Sequence, residues 1–242
     1  MSNNKIAMWS GPRNISTALM YSFDNRTDTI CIDEPLYSYY LSNTNIIHPG
    51  RKEVIDNCEG DINCIIDTIC GEIPDNMPIY YQKHMAHHVL PETPIDWIFG
   101  LKNCFLIRNP KDVILSLSKK IGRVEVESTG LIQQNRLFDQ IIKSKSDNPI
   151  IIDSSDILRK PEYMLIKLCK ELEIPFESSM LSWPAGKRDC DGIWARYWYD
   201  EVWKSTEFKH YKNNDAQLSD SHLEVYNKCK ILYDRLHALR IR

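Results

Sequence analysis

Apolar positions along the chain fall into two rhythms. Short continuous apolar runs at residues 5–9, 29–32, 79–83, 103–108 and 149–153 are bounded by polar or turn-forming residues, and they predict buried strands. Between them apolar residues recur at steps of three and four. Ile15, Leu19 and Phe23 form one such stripe, and the stretch from Ile62 to Cys70 another. Val113 and Leu117 follow Pro110, and Leu131, Leu137, Phe138, Ile141 and Ile142 lie within 126–145. Leu165, Leu168, Cys169 and Leu172 follow Pro161, and a last helix from about Ser219 carries Leu223, Tyr226, Cys229, Tyr233 and Leu236. Each spacing places one apolar stripe along a helix. Strands alternating with helices predict an α/β fold with a mostly parallel central sheet flanked by helices. No repeat, low-complexity tract or linker interrupts the pattern, so residues 1–242 read as a single domain.

In such sheets ligands sit beyond the carboxyl ends of the strands. Polar clusters follow four of these ends: Gly11–Thr17, Asp33–Glu34, Lys83–His84 and Arg108–Ser116. The first is Gly11, Pro12, Arg13, Asn14, Ile15, Ser16, Thr17, a tight turn into a helix. A helix start offers free N–H groups and a partial positive charge to an anion. Ser16 and Thr17 add hydroxyls, and Arg13 adds a planar fork of donors suited to phosphate or sulfate. The Gly-Lys pair of a nucleoside triphosphatase loop is missing. A plain strand–turn–helix corner capped by serine is the structural alternative. In the last of these clusters Arg108 ends a strand, and Ser116 lies about two helical turns further on. Together they can grip one phosphate; the alternative is a surface Arg108–Asp112 pair.

Composition narrows the function. The net charge of −3 gives no basic field for nucleic acid, so an anion site must be local. No apolar run approaches the ~20 residues that span a bilayer, and the polar N-terminus shows no secretory pattern. The expected location is the cytoplasm, with the eight cysteines reduced. No spacing matches a familiar metal site, and none is expected.

The two anion-binding segments, in this order and with this Arg-to-Ser spacing, resemble those of sulfotransferases that use 3′-phosphoadenosine 5′-phosphosulfate (PAPS). The first resembles that family's 5′-phosphosulfate loop, with Ile15 where glycine is usual and Arg13 where lysine is common. Arg108 and Ser116 resemble its 3′-phosphate element. A third stretch, residues 185–199, is similar to the family's late Arg-Lys-Gly and Gly-x-Trp region. The resemblance implies that Lys187 and Arg188 reach the 3′-phosphate and that Gly192 and Trp194 shape the cofactor wall. Solvated charges around an aromatic cluster are the plain alternative. Ala18 stands where many members carry the tryptophan that stacks on adenine, which leaves Trp194, Tyr197 and Trp198 as candidates.

The resemblance implies a three-layer sandwich like that of P-loop nucleoside triphosphate hydrolases. It also implies sulfuryl transfer from PAPS to a hydroxyl or amine of a small-molecule acceptor, without need of a metal. Arg13 is placed to offset developing charge. Two residues compete as general base: Glu34, in a Glu-Pro element like that of heparan-type sulfotransferases, and His84, in a strand-end Lys-His pair like that of cytosolic ones. The reading leans to His84, with Glu34 close behind. Two rivals stand: an ATP-dependent phosphotransferase of the same fold, and a nucleotide-binding module without catalysis. Neither nucleic acid nor membrane is expected as a partner, and acceptor identity and oligomeric state stay open.

Overall fold

The computed structural model describes residues 4–144 and 148–242. Five strands form one sheet: β1 (Asn4–Ser10), β2 (Thr29–Asp33), β3 (Ile79–Met85), β4 (Lys102–Ile107) and β5 (Ile150–Asp153). Their order is β2-β3-β1-β4-β5, and every neighbouring pair is parallel. Parallel strands need crossovers, and helices supply them. Between the strands lie α1 (Ser16–Asp24), α2 (Tyr37–Ser42), α3 (Arg51–Asn57), α4 (Ile62–Cys70), α5 (Pro110–Ile121) and α6 (Leu131–Ser144), and α7 (Ser154–Arg159) and α8 (Pro161–Glu171) follow the last strand. Two short helices, α9 (Ala195–Trp198) and α10 (Asp200–Trp203), precede the long α11 (Asp220–Ala238).

The α/β architecture read from the sequence is the one observed, down to α4 and the helices opened by Pro110 and Pro161. One predicted helix, 126–145, divides. Glu127–Thr129 is a short 3-10 turn, Gly130 adopts φ 74°, and α6 begins only at Leu131. Glycine allows that left-handed break at little cost. Residue 145 lies outside the described residues.

The sheet separates two apolar cores. Trp9, Phe105, Ile107 and Ile151 pack against α5, α6 and α11 on one face. Met8, Tyr81, Leu106 and Ile152 pack against α1 and α8 on the other. Burial on both faces is why the strands read as continuous apolar runs. The strand order reverses between β1 and its two neighbours, β3 and β4, and the loops that follow these strands diverge to open a cleft there.

Candidate functional site

The cleft is a cavity of about 1140 Å³. Its floor is the β1–α1 loop. Arg13 and Ile15 lie at φ 63° and 58°, a left-handed conformation unusual for side-chain-bearing residues and costly for a β-branched one. Ile15 thus holds the backbone shape glycine would favour. The loop is fixed from beneath: Asn14 donates from Nδ2 to the Leu106 carbonyl at 3.0 Å, and Ser154 donates to the Asn14 carbonyl at 2.9 Å. A Cβ on Gly11 would come within 2.1 Å of the Thr129 carbonyl oxygen, so only glycine fits there. α1 starts without a side-chain cap, so no side chain of its own competes for its first N–H groups.

Arg13 and Arg108, 95 residues apart, meet at this loop. Arg13 donates from Nε to Ser116 Oγ at 2.9 Å, and Arg108 donates from Nη1 to the Arg13 carbonyl at 2.6 Å. Asp112 lies 3.9 Å from Arg108, a loose contact that leaves the guanidinium directed into the cavity. Burial lowers the proton affinity of Arg13, and the adjacent Arg108 lowers it further. Two partly buried cations side by side form an anion site.

Across the floor, β2 and β3 deliver a buried charge network. Lys83 donates to Asp33 Oδ1 at 2.7 Å, to the Tyr199 hydroxyl at 2.8 Å, and to Glu34. Tyr199 donates to Asp33 Oδ2 at 2.7 Å, and the Gly192 N–H donates to the same oxygen at 3.2 Å. Thr17 also interacts with the Tyr199 hydroxyl, which links this network to the phosphate-type loop. Burial would lower the proton affinity of Lys83, but Asp33 and Glu34 hold it above the ordinary lysine value. Glu34 sits at φ 42°. Burial pushes its carboxyl above the usual range and Asp33 adds to this, while Lys83 pulls the other way.

The structure brings Pro12, Arg13, Asn14, Ile15, Ser16, Thr17, Glu34 and Arg108 to the cavity wall, with Gly11 and Ser116 directly behind. His84 goes elsewhere. Its ring stacks on Trp9 at 4.4 Å, beneath the sheet, and Nε2 meets Gln82 Oε1 at 3.1 Å. Burial and Lys83 depress its pKa to about 3. Successive residues of a strand face opposite sides, and Lys83 takes the cavity side.

The third stretch also departs from expectation. Arg188 pairs with Asp24 and lies over the Tyr21 ring, and the exposed Lys187 lies over Trp203. Gly192 holds Asp33 rather than a ligand. Trp194 is buried among Tyr37, Tyr40, Leu41 and Val54. None of these four lines the cavity. Of the adenine-stacking candidates, Trp198 does line it, whereas Tyr197 packs against Gly50 and hydrogen bonds to Glu53. In their place Phe208, Lys209, Tyr211 and Lys212 close the wall beside Leu158. The sequence offered a signal for this segment in its interleaved lysines and aromatics, but irregular backbone conceals which of them turn inward.

Among the described residues no group of three His, Cys, Asp or Glu side chains is placed to hold a metal ion. No helix among them is long and apolar enough to cross a membrane.

Comparison with known proteins bears on the family and the fold. Two Arabidopsis thaliana proteins named branched-chain-amino-acid aminotransferase-like protein 2 and protein 1 are 34% and 35% identical over 234 and 235 residues. The match takes in 96% of this chain but only 41% of either relative. The sulfotransferase from Alicyclobacillus acidocaldarius shares the fold at TM-score 0.59 and 11% identity, covering 100% of this chain and 98% of that one. The sulfotransferase domain from the curacin biosynthetic pathway does so at 0.57 and 16%, covering 94% and 97%. The sequence model of the sulfotransferase domain matches residues 4–234, and by that match, nearly the whole of its length, the chain belongs to the sulfotransferase domain family.

Proposed function

We propose that this sulfotransferase-family chain moves a sulfuryl group from PAPS to an acceptor hydroxyl or amine, with Glu34 as general base. The observation that carries the reading is the meeting of Arg13 with Arg108 and Ser116, 95 and 103 residues further along the chain, in the same cavity as a carboxylate whose proton affinity is raised. The residues fit such a donor. The uncapped start of α1, with Ser16 and Thr17, suits its 5′ end. Arg108, with Ser116 close by, suits the 3′-phosphate, and Lys212 on the same wall adds charge, while Lys209 there pairs with Glu201.

PAPS supplies an activated sulfuryl group and leaves as adenosine 3′,5′-bisphosphate. Arg13 offsets charge on the departing phosphate and the sulfuryl oxygens. The Glu34 carboxylate takes the proton of the acceptor as its oxygen or nitrogen attacks sulfur. Lys83 contacts Glu34 and holds it in place, and Tyr199 and Asp33 anchor Lys83 in turn. Three site residues, Arg13, Ile15 and Glu34, hold positive φ angles, and such strain gathers where a fold fixes functional groups.

Calorimetric titration with adenosine 3′,5′-bisphosphate, AMP and ATP tests the donor. The bisphosphate binds well over tenfold tighter than AMP, and Arg108→Ala abolishes the difference, since a charge-assisted contact contributes about 1.5–3 kcal/mol. Equal binding of bisphosphate and AMP, or tighter binding of ATP with magnesium, would falsify the assignment. Glu34→Gln tests the base. It lowers kcat by a factor of roughly 10²–10⁴ while bisphosphate affinity holds.

A further inference from the structure

We propose that the acceptor half of the cavity takes an uncharged, ring-bearing alcohol, and that it rejects the polyanionic sugars for which a Glu-Pro base element would otherwise argue. The inference rests on the sulfotransferase reading and concerns the same cavity. The sheet order divides that cavity. Arg108 follows β4, and the Lys209–Lys212 segment hydrogen bonds to Leu158 in α7, the helix that follows β5, so these cations gather on the β4–β5 side. Glu34 and Lys83 end β2 and β3 on the opposite side. An acceptor next to Glu34 therefore meets the walls that continue from those two strands.

Those walls are aromatic. His88 is sandwiched between Tyr37 at 4.9 Å and Tyr40 at 4.6 Å, both rings stacked. The Tyr37 hydroxyl is 2.9 Å from His48 Nδ1, and His48 meets Trp198 edge-on at 5.6 Å. Met85 and Leu90 extend the surface. Burial depresses the proton affinity of His48 and His88, and that of His87 to about 3, so this wall carries imidazole rings without charge at neutral pH. Lys83 is committed to Asp33 and Glu34, and Arg123 is exposed at the rim in a pair with Glu125. Sulfated or carboxylated sugars need free cations to replace lost hydration, and this wall presents none. A cationic acceptor fares no better. The inner faces of Tyr37 and Tyr40 already cover His88, which leaves no open aromatic cage. A flat, uncharged body that brings one hydroxyl to Glu34 matches the aromatic and apolar side chains of this wall. The cavity exceeds the ~300–1,000 Å³ of a single small-molecule site, which leaves room for such a body beside a nucleotide.

The test compares 2-naphthol, 6-hydroxy-2-naphthoate and a desulfated heparan oligosaccharide. Sulfuryl transfer from PAPS is followed, together with equilibrium binding of each compound to the protein–bisphosphate complex. The expected result is binding and sulfation of 2-naphthol, with kcat/KM at least about tenfold above both others, since burying one unpaired carboxylate costs more than that factor. Leu90→Lys moves the preference toward the naphthoate, and bisphosphate titration of the variant checks that it folds. Preference for the saccharide or the naphthoate in the native protein overturns the inference, as does a failure of 2-naphthol to bind. If bisphosphate binding is absent while 2-naphthol binds selectively, the donor assignment falls and the character of the acceptor wall stands.

Discussion

Lys83→Met removes the cation that holds two buried carboxylates together while nearly conserving side-chain volume. Lys83 and Asp33 are each about 1% exposed in their side chains, and Glu34 12%. Breaking a buried ion pair from one side costs about 3–5 kcal/mol, because the remaining charge is stranded. Asp33 keeps donors from Tyr199 and Gly192, so the stranded group is Glu34. Its escape is to bind a proton. At pH 8 that costs about 5 kcal/mol for a carboxyl of ordinary pKa, and at pH 5 about 1 kcal/mol. The loss of stability is therefore capped near 5 kcal/mol at pH 8 and shrinks to ~1–2 kcal/mol at pH 5. The sign follows from linkage: a carboxyl whose pKa is raised by folding loses stability as pH rises above its unfolded value. In the native protein Lys83 has a raised pKa, so its contribution persists below the ordinary lysine pKa and fades only above it. Urea unfolding of both proteins at pH 5, 6, 7 and 8 measures the difference, with equal m-values confirming that the unfolding reaction is the same. A deficit below about 1 kcal/mol at pH 8, or one that does not change with pH, would refute the charge network as described.

Four other measurements follow from the geometry. His84→Phe retains sulfuryl transfer within a few-fold of the native rate, because His84 packs on Trp9 outside the cavity; a loss as deep as that of Glu34→Gln would return the base to histidine. Gly11→Ala destabilises by about 1–3 kcal/mol and weakens bisphosphate binding, as its methyl group meets the Thr129 carbonyl; unchanged calorimetry would contradict the close approach. Ile15→Gly alters the unfolding free energy by less than about 1.5 kcal/mol, because relief of left-handed strain offsets lost packing, whereas Ile114→Ala at a fully buried site costs ~2–5 kcal/mol. Acid lowers stability progressively from pH ~6.5 toward 3, because His84 and His87 stay neutral in the fold down to about 3 while their unfolded forms bind protons; a flat urea midpoint between pH 7 and 5 would argue against their burial.

The strand–loop–helix corners were legible because their signals are local. Gly11 through Thr17 and Arg108 through Ser116 each follow an apolar run, and the same strand ends deliver them to one cleft. His84 was not legible. Every residue of β3 is buried, so the run carries no alternation to reveal which side chains face the cleft, and a shift of one position exchanges Lys83 for His84. Residues 185–199 misled for a different reason. Gly192, Arg188 and Trp194 serve packing and network contacts here, and residues 205–212 close the cavity from an irregular segment with no periodicity to read.

The meeting of Arg13 and Arg108 ties occupancy to lifetime. Two guanidinium groups held together repel, and the fold sustains that repulsion only while the hydrogen bonds to Ser116 and to the Arg13 carbonyl persist. A dianion bound between them relieves the repulsion in the folded chain and finds no such site in the unfolded one. Ligand at 100 times its Kd then adds about 2.7 kcal/mol to the unfolding free energy. Proteases act on the unfolded fraction, so on the proposed function a supply of donor nucleotide would slow turnover of the protein itself, and its amount would track the availability of that ligand.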